Sequence, residues 1–347
     1  MRVEFNDNWI LTKGNGEEKI VRLPHDAMIE EKRYENCVNG KQCAFFPGGK
    51  YVYRKSFNVV KENLHKYTAL LFEGVYRYAA VKLNGEIVGT NINGFSDFTV
   101  ELTGKLIEGE NVLEVIADNT LTPNCRWYTG SGIYRPIQLI QKEYNEIKSV
   151  RVTTLSVEPA KIEVDILSES HPYVEIYDGA ILLYKGESGE IELENAKPWS
   201  VDNPYLYKCV VRTDKDCEEV KFGIRKVEII PEQGLFVNDE KTLLRGGCIH
   251  SDNGILGACS FKEAEYRKVK ILKEAGYNAI RCAHNPCSRY FLQACDELGM
   301  FVLDEAFDGW YIPKEYHDYS RDFNFDYKFT LMRMVEKDYN HPSVIMY

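Results

Sequence analysis

Three short apolar runs in the last third of the sequence end on side chains that hydrogen-bond and transfer protons. Residues 243–250 end on His250, residues 278–284 on His284 followed by Asn285, and residues 300–305 on Asp304 and Glu305. A lone histidine in such a place is most simply a satisfied structural residue. Three successive run ends with polar groups read as a functional rim.

The elements that must carry this rim alternate between two periods. Leu243-Leu244-Arg245-Gly246-Gly247-Cys248-Ile249-His250 reads as a short strand, and Ser260-x-x-Glu263 then reads as a capping box. Phe261, Ala264, Ile271, Leu272 and Ala275 share one helical face, and Gly276 is placed to end that helix. Asn278-Ala279-Ile280-Arg281-Cys282-Ala283-His284 opens a second unit. Its helix carries Phe291, Ala294, Cys295 and Leu298 on one face and stops at Gly299. Met300-Phe301-Val302-Leu303-Asp304-Glu305 opens a third, with a helix over 325–339, and Val344-Ile345-Met346-Tyr347 reads as a fourth strand. Strand followed by helix three times over is the pattern of a parallel barrel or a doubly wound sheet, and both put their chemistry at the C-terminal ends of the strands.

The first 142 residues read as short strands, with Asn84-Gly85 favouring the positive φ angles of a tight hairpin turn. A second all-β stretch follows, of a length that suits an immunoglobulin-like sandwich. The expected division is 1–142, 143–228 and 229–347.

Composition removes whole classes of function. Fifty-three Asp and Glu against 43 Lys and Arg leave a net charge of −10, the wrong sign for a protein whose main partner is a phosphate backbone, so no nucleic acid is expected. No apolar run reaches the roughly 18 residues of a membrane span, and no signal-peptide core follows Met1. The ten cysteines include no Cys-x-x-Cys, and the spacings Cys37/Cys43 and Cys282/Cys287 match no zinc or redox signature. They read as free thiols of a cytoplasmic protein, with no metal and no cofactor expected.

Seven segments, in order, resemble glycoside hydrolase family 2, the bacterial β-galactosidase and β-glucuronidase group. They are Leu71-Phe72-Glu73-Gly74-Val75, Val81-Lys82-Leu83-Asn84-Gly85, Arg126-Trp127-Tyr128-Thr129-Gly130-Ser131-Gly132-Ile133-Tyr134-Arg135, Leu244-Arg245-Gly246-Gly247-Cys248-Ile249-His250-Ser251-Asp252, Asn278-Ala279-Ile280-Arg281-Cys282-Ala283-His284-Asn285-Pro286, Val302-Leu303-Asp304-Glu305 and Asn340-His341-Pro342-Ser343-Val344-Ile345-Met346. The resemblance implies a multidomain β plus α/β chain: a jelly-roll, galactose-binding-like β-sandwich, an immunoglobulin-like β-sandwich, and the first four strands of a (β/α)8 TIM barrel.

It further implies a retaining glycosidase acting on β-galactosides, with β-glucuronidase or a non-catalytic sugar-binding module as alternatives. That chemistry needs two carboxylates about 5 Å apart. By the resemblance, the acid/base Glu is expected just past Tyr347 and the nucleophile later, so neither is assigned to a residue of this chain, which is expected to be inactive alone. Asp304 and Glu305 do not fill those roles.

The substrate-binding residues implied are His250, Asp252, His284, Asn285, Asp304, Trp310, Arg126 and Trp127. The imidazoles would bond sugar hydroxyls, and Trp310 would stack on a pyranose face. Asp304 has the alternative of a charge held by Arg281 or Arg245, and Asp252 that of capping the turn after it. Ser251 stands where the β-galactosidase-like members lead one to expect His. An open parallel sheet exposes an apolar face, which a homo-oligomer would cover unless the sandwiches dominate stability.

Overall fold

The computed structural model describes residues 2–347. Ten strands come first: β1 (Arg2–Glu4), β2 (Trp9–Thr12), β3 (Glu18–Val21), β4 (Lys50–Val59), β5 (Tyr67–Phe72), β6 (Tyr78–Leu83), β7 (Glu86–Asn91), β8 (Phe98–Glu101), β9 (Gly109–Asp118) and β10 (Ile137–Lys142). They form two antiparallel sheets, ordered β3-β2-β4-β9-β6-β7 and β1-β10-β5-β8. Alternation places Leu113, Val115 and Ala117 of β9 and Val81 and Leu83 of β6 inward, in a core with Trp9, Leu70, Phe72 and Phe98. The β6–β7 hairpin turns on Asn84 and Gly85, both at positive φ, as its two-residue loop requires.

Seven strands follow: β11 (Ile147–Val157), β12 (Ala160–Ser168), β13 (Tyr173–Asp178), β14 (Ile181–Gly186), β15 (Gly189–Glu192), β16 (Tyr207–Arg212) and β17 (Cys217–Phe222). Their two sheets, β11-β12-β15 and β14-β13-β16-β17, enclose Ile162, Val164, Ile176, Cys209 and Phe222.

The remainder opens with a small antiparallel sheet, β18 (Val227–Ile230), β19 (Gly234–Val237) and β20 (Glu240–Lys241). The alternating units come next: β21 (Gly246–Ile249), α1 (Lys262–Glu274), β22 (Ala279–Cys282), α2 (Arg289–Leu298), β23 (Phe301–Leu303), α3 (Phe323–Asp338) and β24 (Val344–Met346). Strands β21 to β24 pair in parallel in chain order. Helix α2 begins with the Ser288 hydroxyl accepting from Phe291 N and ends at Gly299 in the left-handed conformation.

Helix α1 departs from expectation. No side chain caps it, because Phe261 and not Ser260 occupies the N-cap; the Ser260 hydroxyl donates to Glu265 at 2.8 Å, and Glu265 is buried, as is Val269. Ile271, expected on the buried face, is 47% exposed.

Polar clamps join the three parts. Arg225, just past the second sandwich, donates to the carbonyls of Pro342 at 2.5 Å and Val344 at 2.6 Å, and Trp199 packs edge-on against Phe301. Arg135 of the first sandwich, fully buried, donates to Phe95 O and Pro286 O at 2.9 Å each and to Glu73 O at 3.3 Å. Among the described residues no helix is long and apolar enough to cross a membrane.

Candidate functional site

The loop before β10 and the C-terminal ends of β21 and β22 converge. Trp127, on that loop, stacks flat on His250, with ring centroids 4.7 Å apart and planes at 5°. His284 meets both edge-on, at 5.3 Å from Trp127 and 5.8 Å from His250.

The Trp127 loop is held from below by Asp26. Its carboxylate accepts from Tyr128 OH at 2.7 Å, Ser131 N at 3.0 Å and Ala258 N at 2.9 Å, so one buried side chain ties the loop to the segment after His250. Gly130, at φ +67°, is required there: a Cβ would lie 2.6 Å from the Asp26 carboxylate.

Hydrogen bonds orient the imidazoles. His250 Nδ1 lies 2.7 Å from Ala283 O, so Nδ1 carries the proton and a neutral ring leaves Nε2 as an acceptor. Glu305 accepts from Arg281 Nε at 2.5 Å and Nη2 at 3.0 Å, and it faces His284 Nδ1 at 3.1 Å. Contact with the Cys248 sulfur, then the Glu305 pair, holds the Arg281 guanidinium above its ordinary pKa. Arg126 makes a second two-pronged pair with Asp308, at 3.0 and 2.6 Å, pinning the loop after β23 beside Trp127. Both carboxylates of this rim are thus committed to guanidinium groups.

Free space lies on either side of Asn285. One small cavity of about 30 Å³ reaches His250, Ser251, Cys282 and Phe291, and another of about 30 Å³ reaches Tyr76, Trp127, Asp308 and Asp318. Asn285 lines both, and each has room for about a water or two.

The structure therefore brings together Arg126, Trp127, His250, His284 and Asn285 and leaves three expected residues apart. Asp304 does not open on the rim: it is fully buried, with its Oδ1 3.6 Å from Cys287 Sγ. Its N–H donates to Met346 O, continuing the ladder, so alternation sends Asp304 toward the helices and Glu305 toward the rim. Arg281 accordingly pairs with Glu305. Asp252 is half-buried beyond His250 and caps no turn. Trp310, 48% exposed and at φ +55°, packs on Phe307 and Phe323 and makes no ring contact with Trp127 or the imidazoles. Asp308 and Arg135 were not expected here. Their partners lie 182 and 151 residues away, and no local pattern signals such a pairing. Among the described residues, the cluster of metal-ligating types is Cys282, Cys287 and Asp304, on the helix side of the sheet.

Comparison with known proteins adds three family matches that together run from residue 18 to residue 347. Residues 18–156 match the family described as glycosyl hydrolase 2 galactose-binding domain-like, 139–225 that described as glycosyl hydrolases family 2, and 227–347 that described as glycosyl hydrolases family 2, TIM barrel domain. A beta-galactosidase of Bacteroides ovatus is 33% identical over 100% of this chain and 46% of its own length. A protein named putative beta-glucuronidase from Formosa agariphila is 31% identical over 100% of this chain and 37% of its own. The crystal structure of a glycosyl hydrolase family 2 member from Bacteroides cellulosilyticus superposes with a TM-score of 0.92 at 33% identity, covering 99% of this chain and 51% of that one. The chain spans about half the length of the relatives it matches.

Proposed function

The chain belongs to glycosyl hydrolase family 2, and from that premise we propose that it supplies the sugar-holding part of a retaining β-glycosidase acting on β-galactosides. The observation that carries this reading is the wall formed by Trp127, His250 and His284. Trp127 is itself buried with one face covered by His250, so it serves to hold the imidazoles in place, and His250 Nε2, left as an acceptor by the bond at Nδ1, suits a sugar hydroxyl. Asn285, between the two cavities, offers both an acceptor and donors to neighbouring hydroxyls.

In architectural terms, we read residues 1–142 as a jelly-roll sandwich, 143–228 as an immunoglobulin-like sandwich, and 229–347 as the first four strand units of a TIM barrel. The galactoside preference draws on the name of the Bacteroides ovatus relative, and the Formosa agariphila name supports a glucuronide as the competing substrate.

Hydrolysis with retention needs one carboxyl to protonate the leaving oxygen and a second to attack the anomeric carbon. Glu305 and Asp308 are engaged by Arg281 and Arg126, so the rim residues bind and orient the sugar and leave both steps to carboxylates outside this set. The 347 residues alone are expected to bind without turnover.

Assaying nitrophenyl β-galactoside and nitrophenyl β-glucuronide with this chain, and with a form extended to the relatives' length, tests the proposal. Turnover of the galactoside by the extended form only is expected. Preference for the glucuronide would replace the substrate. Equal rates from both forms would overturn the assignment of residues.

A further inference from the structure

On the helix side of the parallel sheet, two buried thiols and a buried carboxylate meet, with both cysteines bordering the cavity that His250 also lines. Cys282 ends β22, Cys287 precedes α2 and Asp304 follows β23; all three are buried, and one ligand atom from each lies within 4.8 Å of the others. Their spacing in sequence carries no zinc signature, since the third ligand arrives through strand pairing.

Two observations show that this pocket wants a cation. Asp304 Oδ2 is buried with no hydrogen-bond partner, and its Oδ1 meets only the Cys287 sulfur, a weak donor. The equally buried Asp338 lies close enough to feel the Asp304 charge, and its own Oδ2 also lacks a partner. One ammonium, Lys337, paired with Asp338, is buried against these two carboxylates, while the nearby His341 is taken by Asp296 at 2.5 Å. A buried charge left unpaired is costly.

One edge of the cluster has the length that a tetrahedral site needs. With metal–sulfur and metal–oxygen bonds of about 2.3 and 2.0 Å, the sulfur–oxygen edge of a zinc tetrahedron is about 3.5 Å. The Cys287 Sγ to Asp304 Oδ1 separation is 3.6 Å.

We propose that Cys282, Cys287 and Asp304 bind a Zn²⁺ that pins β22, the start of α2 and β23 together, with water in the remaining position. Two thiolates and a carboxylate match the borderline-soft character of zinc and disfavour magnesium and calcium, which take oxygen ligands. On binding, each thiol releases its proton to solvent and the sulfur lone pair forms the metal bond; no electron is transferred.

The test uses the 347-residue chain. After growth with zinc and exhaustive dialysis, elemental analysis is expected to give about one zinc per chain. Replacement by Co²⁺ is expected to produce a thiolate-to-cobalt charge-transfer band with intense d–d bands, and chelation to lower the melting temperature reversibly. Cys287→Ser should abolish the charge-transfer intensity from that sulfur. Cys209→Ser, a buried cysteine of the second sandwich, should leave the spectrum unchanged. The wild-type cobalt spectrum stands even if the Cys287 variant does not fold. Absence of zinc and of a thiolate–cobalt band would overturn the proposal in favour of a proton shared by Asp304 and Asp338. A Cys282–Cys287 disulfide in the peptide map would overturn it as well.

Discussion

Trp127 and His250 lie face to face, 4.7 Å between ring centroids and 5° between planes, although one belongs to the first sandwich and the other to the parallel sheet. The aromatic wall is thus shared between the first sandwich and the parallel sheet.

Removing the indole should therefore remove what holds the imidazoles in place. Trp127→Ala is expected to weaken binding of a non-hydrolysable thiogalactoside by at least about tenfold, or about 1.4 kcal/mol, while Trp127→Phe keeps most of it. Titration calorimetry on the 347-residue chain checks this; equal affinities for wild type and the Ala variant would remove Trp127 from the site.

Arg135 makes three hydrogen bonds to carbonyls from a fully buried position. Arg135→Ala leaves those acceptors without donors and is expected to cost about 3 kcal/mol or more. Urea unfolding followed by tryptophan fluorescence should show the parallel sheet melting before the sandwich, as a separate transition that wild type lacks.

Glu73 supplies a pH signature. Burial raises its pKa above the ordinary carboxylate value, against the lowering influence of Arg289 and Arg135, and its Oε2 has no partner. The folded state then holds this proton more tightly than the unfolded chain, so stability falls as pH rises from the ordinary value through the raised one. Glu73→Gln, which keeps the carbonyl that accepts from Gln138, is expected to stabilise the protein near pH 7. That advantage should shrink as the pH is lowered to about 5; a constant difference in melting temperature across the range would refute the mechanism.

The sheet face opposite the helices is open, with a hollow of about 240 Å³ lined by Leu244, Cys248, Arg281, Leu303 and Ile345. The 347-residue chain is expected to self-associate through it. Light scattering giving a clean monomer that binds no hydrophobic dye would contradict this.

Elements with a strong local cause were legible in the sequence. Asn84-Gly85 forces its turn wherever it sits, and the apolar face of α2 is dense enough that no neighbour overrides it. Helix α1 was harder because a polar residue faces inward: Glu265 is buried by bonds from Ser260, Asn253 and Lys268 beside Val269, and the helix starts one residue later than the capping box implies, with Phe261 at the N-cap. In the site, the histidines were readable from strand ends. Asp304 was misplaced because two adjacent acids on an extended chain must face opposite ways, and the letters alone do not say which faces the ligand. Asp308 was missed because its partner Arg126 comes from another domain.

The 151-residue gap between Arg135 and Pro286 also sets an order of events during synthesis. The guanidinium emerges with the first sandwich, long before the carbonyl it will clasp has been translated. Two of its three acceptors, Glu73 O and Phe95 O, belong to the first sandwich and are in place early, so Pro286 is the one acceptor that only docking of the parallel sheet can supply.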